Sequence, residues 1–268
     1  MLHSAWHEAR DGMRLATYVL QPDPAVHGPP PYPTVVYIHG GPWTGLGGHF
    51  HPHLYHFALE GYAVVATDFR GSLGYGLAHC EAWRGELSTG MIEDVLAGLH
   101  EAYRLGFGER TALAFGWSYG GLAASILATQ HPDRIRGAVA VAGPSGGLSD
   151  GSRQWHWLSE ARDMRTTPRR HLDTLIRPLL QIHGAEDDVV DVAATENTAR
   201  TAEKGATERY AAVRVPGLDH SGDKAQQLFV LALADHWFAR CLDRSVGAAP
   251  EGVEWVEVLV DGPGWLGR

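Results

Sequence analysis

The chain has 268 residues, 44% of them hydrophobic, and a net charge of −9 with no basic run. That size suits one α/β unit with a large core, and the acidic balance argues against nucleic acid or an anionic membrane surface as partners. Cys80 and Cys241 lie too far apart in sequence to suggest a disulfide framework. The opening MLHSAWHEARDG lacks the apolar core of a signal peptide, and no segment is long enough to span a bilayer, so a cytoplasmic protein is expected.

In chain order, Met13 to Leu20 alternates loosely and reads as a first strand after a turn at Asp11-Gly12. The proline-rich stretch 22–33 is a connecting loop. Thr34 to Ile38 is a continuous apolar run, as expected of a buried strand, and it ends in His39-Gly40-Gly41-Pro42-Trp43. Two glycines just past a central strand leave backbone N–H groups at the sheet edge where open α/β sheets bind ligands. Next come His49, His51, His53 and His56. Their H-x-H spacing can serve a metal, but no carboxylate or cysteine stands nearby and Pro52 interrupts the pattern. They read as exposed loop histidines, and no metal or other cofactor is expected.

Tyr62 to Thr67 is another buried strand. The glycine-marked loop after it carries Asp68 and Arg70, and Arg70 reads either as a partner of Asp68 or as a substrate contact. Ile92, Val95, Leu96, Leu99 and Tyr103 recur at helical spacing and predict an amphipathic helix ending near Gly106. A strand then runs from Thr111 into Gly116-Trp117-Ser118-Tyr119-Gly120-Gly121, followed at once by a helix-forming run. This is the strand, sharp turn and helix of a nucleophile elbow, G-x-S-x-G. A serine at the tip of a strained turn needs flanking positions without β-carbons, and the helix start aims backbone N–H groups at a developing oxyanion.

Gly137 to Ala142 reads as a further parallel strand. Residues 143–175 break the rhythm and predict a small cap, with Trp155 and Trp157 as substrate contacts beside Trp43 and Arg70. The remaining elements are a strand at Pro178 to Ile182, a helix at about Val192 to Lys204, a strand at Tyr210 to Val215 and a helix at about Lys224 to Leu242. The alternation predicts a mostly parallel sheet with helices on both faces, filling residues 1–245. A small-residue linker then leads into a tail, 246–268, with one strand at Val253 to Val260. The tail is expected to dock on the body or on a second copy of the chain.

A serine hydroxyl needs an adjacent base that is itself oriented. Ser118, Asp187 and His220 occur in that order at strand-to-helix junctions, the chain order of the α/β-hydrolase triad. These residues, with His39-Gly40-Gly41-Pro42, Asp68-Phe69-Arg70-Gly71-Ser72, Gly74-Tyr75-Gly76 and His183-Gly184, resemble the catalytic domain of the prolyl oligopeptidase family, in its acylaminoacyl-peptidase-like branch. The resemblance implies an α/β-hydrolase fold, Ser118 as nucleophile, His220 as base, Asp187 as its orienter, and the N–H groups of Gly41 and Tyr119 as oxyanion donors. The family's peptidases usually carry an N-terminal β-propeller. This chain starts a short way before its first hydrolase strand, so no propeller is expected and small esters rank ahead of peptides as substrates. The alternatives are a peptidase of the family, a non-catalytic binding protein on the same scaffold, and a metallohydrolase using the histidine run.

Overall fold

In the computed structural model, nine strands among the described residues form one sheet in the order β1-β2-β4-β3-β5-β6-β7-β8-β9. The structure describes residues 1–47, 50–145, 167–205, 209–245, 248–262 and 264–265. Strands β3 (Thr34–Ile38), β4 (Ala63–Asp68), β5 (Ala112–Trp117), β6 (Ile135–Val141), β7 (Leu179–Gly184) and β8 (Tyr210–Val215) pair in parallel. Strands β1 (Leu2–Glu8) and β2 (Arg14–Leu20) lie antiparallel at one edge, and β9 (Glu257–Asp261) lies antiparallel at the other. The central strands are apolar on both faces because helices cover both.

Short α1 (Pro24–His27) interrupts the proline-rich loop, and α2 (Pro52–Leu59), α3 (Leu77–Glu81), α4 (Gly90–Arg104), α5 (Tyr119–Gln130), α6 (Ala193–Lys204) and α7 (Lys224–Cys241) follow. One face of the sheet packs Val95 and Leu99 of α4, Leu122 and Ile126 of α5, and Ala199 of α6. The other face packs Phe57 of α2 with Leu233, Trp237 and Phe238 of α7. Among the described residues no helix is long and apolar enough to cross a membrane.

Several expectations need correction. The first strand is β1, whose side chains alternate only between exposed and half-buried, so an edge strand of this polarity gives little hydropathy signal. Because β2 pairs antiparallel with both β1 and β4, the parallel set begins at β3. The described histidines of the run are not exposed. Pro52 occupies the first helical turn of α2, where its missing N–H costs nothing, and His51, His53 and His56 are half-buried. His49 lies outside the described residues, as do Trp155, Trp157 and most of the cap segment. The tail strand starts later than expected, after a 3-10 turn at Val253–Trp255, and it extends the sheet by pairing with β8. Beyond it, Trp265 is 1% exposed and meets the Trp237 ring edge-on at 5.4 Å.

Arg70 pairs with Asp94 and Asp11 rather than with Asp68. Its guanidinium makes two bonds to the fully buried Asp94 of α4, Nε–Oδ2 at 2.8 Å and Nη2–Oδ1 at 2.9 Å, and Nη1 reaches Asp11 at 3.0 Å. The Arg70 backbone N–H also donates to Asp94 at 2.9 Å, so that one carboxylate closes the loop after β4 onto α4. Removing one member of a buried ion pair strands the other charge. Asp94→Ala is therefore expected to lower stability by about 3–5 kcal/mol in urea unfolding. Asp11, whose side chain is 53% exposed, is expected to lose about 1 kcal/mol or less on the same change. Trp265→Ala is expected to cost about 3–5 kcal/mol, because it empties a core site that the tail fills.

Candidate active site

Strand β5 turns into helix α5 at Ser118, which sits at φ 59°, ψ −122°, a backbone conformation that L side chains rarely adopt. The strain is held by close packing. A β-carbon on Gly116 would lie 2.1 Å from the Gly120 carbonyl oxygen, and one on Gly120 would lie 2.0 Å from that of Ile38. The Ser118 N–H donates to the Val141 carbonyl of β6 at 2.8 Å, which fixes the turn against the next strand. Gly121 permits a similarly close approach, since a β-carbon there would lie 2.5 Å from the Val141 carbonyl oxygen.

The loops after β7 and β8 bring the other two residues to the same edge. His220 Nε2 is 3.0 Å from Ser118 Oγ, and His220 Nδ1 is 2.8 and 3.0 Å from the two Asp187 oxygens. An ionised carboxylate can only accept, so Nδ1 carries the proton and Nε2 is free to accept from the serine hydroxyl. The Asp187 side chain is fully buried and that of His220 is 16% exposed. Burial works against the Asp187 charge. The hydrogen bonds from His183, from His220 and from the Val190 N–H outweigh that penalty and hold its pKa well below the usual carboxylate range.

His183, next to last in β7, was not singled out as a site residue. It is fully buried, donates from Nε2 to the Val190 carbonyl at 2.9 Å, and brings the same nitrogen to 3.3 Å from Asp187. Thr195 of α6 donates to His183 Nδ1 at 2.7 Å, which fixes the tautomer. Asp187 Oδ1 also accepts from the N–H groups of Val189 and Val190 at 2.9 and 2.8 Å. The neighbouring Asp188 is exposed.

A cleft of about 590 Å³ opens beside these residues, and Gly40, Gly41, Ser118 and His220 line it. Gly41 has φ 116°, which favours glycine. The loop that carries it is anchored from below. The Thr44 hydroxyl donates to the Gly40 carbonyl at 2.7 Å, and buried His39 meets Ser72 Oγ through Nε2 at 2.9 Å. Burial lowers the His39 pKa and favours the neutral ring. Tyr119 opens α5, so its N–H lies at the positive end of the helix dipole beside Ser118. Its phenol points away and donates to the Leu87 carbonyl at 2.8 Å.

The remaining cleft wall was missed in the sequence. Tyr37, His53, Trp117 and Gln227 line it, supplied by β3, α2, β5 and α7. No short motif marks such a set, because it exists only once four elements meet. Trp43, expected to contact substrate, turns instead against the core and meets Trp83 edge-on at 5.2 Å. The described histidines of the run go to separate partners. His51 donates to the Leu46 carbonyl at 2.8 Å, His53 sits 3.4 Å from the Tyr37 hydroxyl, and His56 pairs with Asp235 at 2.6 Å. Among the described residues, no three His, Cys, Asp or Glu side chains stand together to hold a metal.

A profile of the prolyl oligopeptidase family matches residues 48–245. Dipeptidyl aminopeptidase BIII of Pseudoxanthomonas mexicana is 33% identical over 147 residues, covering 51% of this chain and 21% of that protein. The uncharacterized peptidase YuxL of Bacillus subtilis is 27% identical over 251 residues, covering 87% of this chain and 38% of that protein. Among solved structures, a Mycobacterium tuberculosis puromycin-hydrolyzing peptidase superposes with TM-score 0.82 at 23% identity, over 97% of this chain and 41% of that one. The Pyrococcus horikoshii acylaminoacyl peptidase gives TM-score 0.80 at 20% identity, over 92% and 42%. These likenesses establish the α/β-hydrolase fold, and the chain spans less than half the length of each of these proteins.

The two adjacent carboxylates separate cleanly in a mutational test. Asp187→Asn removes the acceptor that holds the imidazole tautomer, and kcat/KM is expected to fall by about three orders of magnitude or more. Asp188→Asn should stay within about threefold of wild type, since that side chain is exposed and outside the relay. Because the folded pKa of Asp187 is depressed, its ionised form stabilises the fold above about pH 4, the unfolded carboxylate value, and that contribution fades as pH falls further. A urea-unfolding series across pH 6 to about 3 is expected to lose less stability in Asp187→Asn than in wild type.

Proposed function

The chain belongs to the prolyl oligopeptidase family, and on that premise we propose that it is a serine peptidase acting through an acyl-enzyme. The observation that carries this reading is the continuous relay from Ser118 Oγ through both ring nitrogens of His220 to the buried Asp187. In the first step Ser118 Oγ attacks the scissile carbonyl carbon while its proton passes to His220 Nε2. The carbonyl oxygen gains negative charge, and the backbone N–H groups of Gly41 and Tyr119 are the donors that meet it. His220 then gives the proton to the departing amine nitrogen, and the C–N bond breaks to leave the acyl group on Ser118. A water then attacks the acyl carbon as His220 takes its proton, and the Ser118 Oγ–acyl bond breaks, with the proton returned to Ser118 Oγ and the acid released. Asp187 stays ionised throughout and compensates the imidazolium formed in each half.

The sequence alone ranks small esters ahead of peptides. The matched relatives favour the reading that ranked second, since they are named as peptidases, among them dipeptidyl aminopeptidase BIII, dipeptidyl-peptidase 5 of Porphyromonas gingivalis and acylamino-acid-releasing enzyme 1 of Oryza sativa. Those names point to cleavage near the N-terminus of a peptide, releasing a dipeptide or an acylated amino acid. The open cleft beside Ser118 has room for several residues of such a chain.

A panel of dipeptidyl and N-acyl-aminoacyl amides beside matched aryl esters tests the proposal. Amide turnover is expected, and Ser118→Ala is expected to lower kcat by several orders of magnitude with an unchanged melting temperature. Hydrolysis of the esters with no measurable amide turnover would return the assignment to an esterase. Retention of more than about a tenth of wild-type turnover in Ser118→Ala would remove Ser118 from the mechanism.

A further inference from the structure

Trp117 is the last residue of β5 and directly precedes Ser118. Its indole Nε1–H donates to the backbone carbonyl of His220 at 2.6 Å, and the residue is 9% exposed. The His53 ring lies parallel to the indole, with centroids 5.8 Å apart and an interplanar angle of 4°, so the indole plane is set from α2. On the far side of the same loop, the Gln227 amide donates to the carbonyls of Ser221 and Gly222 at 3.1 and 3.2 Å. Asp219 Oδ1 caps the N–H groups of Ser221 and Gly222 at 2.9 and 2.7 Å. The His220 loop lies between β8 and α7, so its position depends on these side-chain ties rather than on a strand or helix of its own.

We propose that Trp117 is a positioning residue, which sets the reach of His220 Nε2 toward Ser118 Oγ by holding the His220 carbonyl. The inference rests on the serine-peptidase reading above and adds a residue to it. Ser118 and Trp117 share one stretch of backbone, so the nucleophile and the anchor of its base move as one body. The indole is a donor with no acceptor function, which suits it to the His220 carbonyl. Transfer of a proton across 3.0 Å is sensitive to small displacements, and a misplacement of about 1 Å costs on the order of a hundredfold in rate. Loss of the indole N–H lets the loop relax and the imidazole drift from the hydroxyl.

Trp117→Phe keeps an apolar ring against His53 and removes the donor. A second variant carries 3-benzothienylalanine at position 117, in which sulfur replaces the indole N–H with little change of shape. The readouts are the second-order rate of fluorophosphonate labelling at Ser118, and kcat and KM on the best amide substrate. Both variants are expected to slow labelling and kcat together by about 10- to 100-fold, with KM within about threefold of wild type. If Trp117→Phe does not fold, the isosteric variant decides. Unchanged labelling and kcat in the isosteric variant would overturn the inference, as would a rise in KM alone, which would make the indole a substrate wall. Absence of labelling in the wild type would instead overturn the Ser118 assignment on which the inference rests.

Discussion

The serine end of the site depends on how closely helix α5 can approach the strands beneath it. The backbone of Gly120 lies against the Ile38 carbonyl with no room for a β-carbon, and Gly116 lies against Gly120 in the same way. That contact holds Ser118 at positive φ, a conformation whose cost is of order 1–3 kcal/mol and persists only where the surroundings over-determine it. The same approach brings the start of α5 beside the glycine loop that follows β3. Three features of the site, the serine, the helix N-terminus and the Gly40-Gly41 loop, are therefore consequences of one packing constraint.

The relay partners are held by a different device, which is polar and buried. Asp187 collects donors from His183, His220, Val189 and Val190, so its charge is compensated on several sides. His183 is in turn held by Thr195 of α6, so α6 supports the site through a histidine that never reaches the cleft. Gly184 allows the two loops to meet, because a β-carbon there would lie 2.1 Å from the Leu218 oxygen. The result couples the ends of β7 and β8, adjacent parallel strands whose loops carry Asp187 and His220.

The site also draws on parts of the chain far from the reacting atoms. Helix α2 supplies His53 to the cleft wall and is tied to α7 by the His56–Asp235 bond at 2.6 Å. Helix α7 begins with a capping box, Asp223 with Gln226, just after the His220 loop, and its next residue, Gln227, reaches back to that loop. His53 and Gln227 thus bring to the cleft a helix pair whose other residues, such as Phe57 and Phe238, fill the core of the sheet's second layer.

Much of this was readable from residue order alone. The strands at Thr34–Ile38 and Tyr210–Val215 were assigned with their observed bounds, and α4, α6 and α7 within about two residues, because strong apolar periodicity survives folding. Ser118, Asp187 and His220 were identifiable because strand-to-helix junctions with glycine spacing leave a local signature, and the structure places them in mutual contact. What the sequence could not express are relations between distant residues of ordinary type. Strand β1 carries too weak an alternation to stand out, and Pro52 marks a helix start only once α2 is seen. Arg70 has several candidate partners in the chain, and only the packing of α4 on β4 selects Asp94. Likewise Tyr37, His53, Trp117 and Gln227 have no shared motif, and they form one wall because β3, α2, β5 and α7 converge there. Local backbone geometry is written in short patterns of glycine, proline and apolar residues. The pairing of buried charges and the lining of a cleft are decided by which faces the tertiary fold brings together.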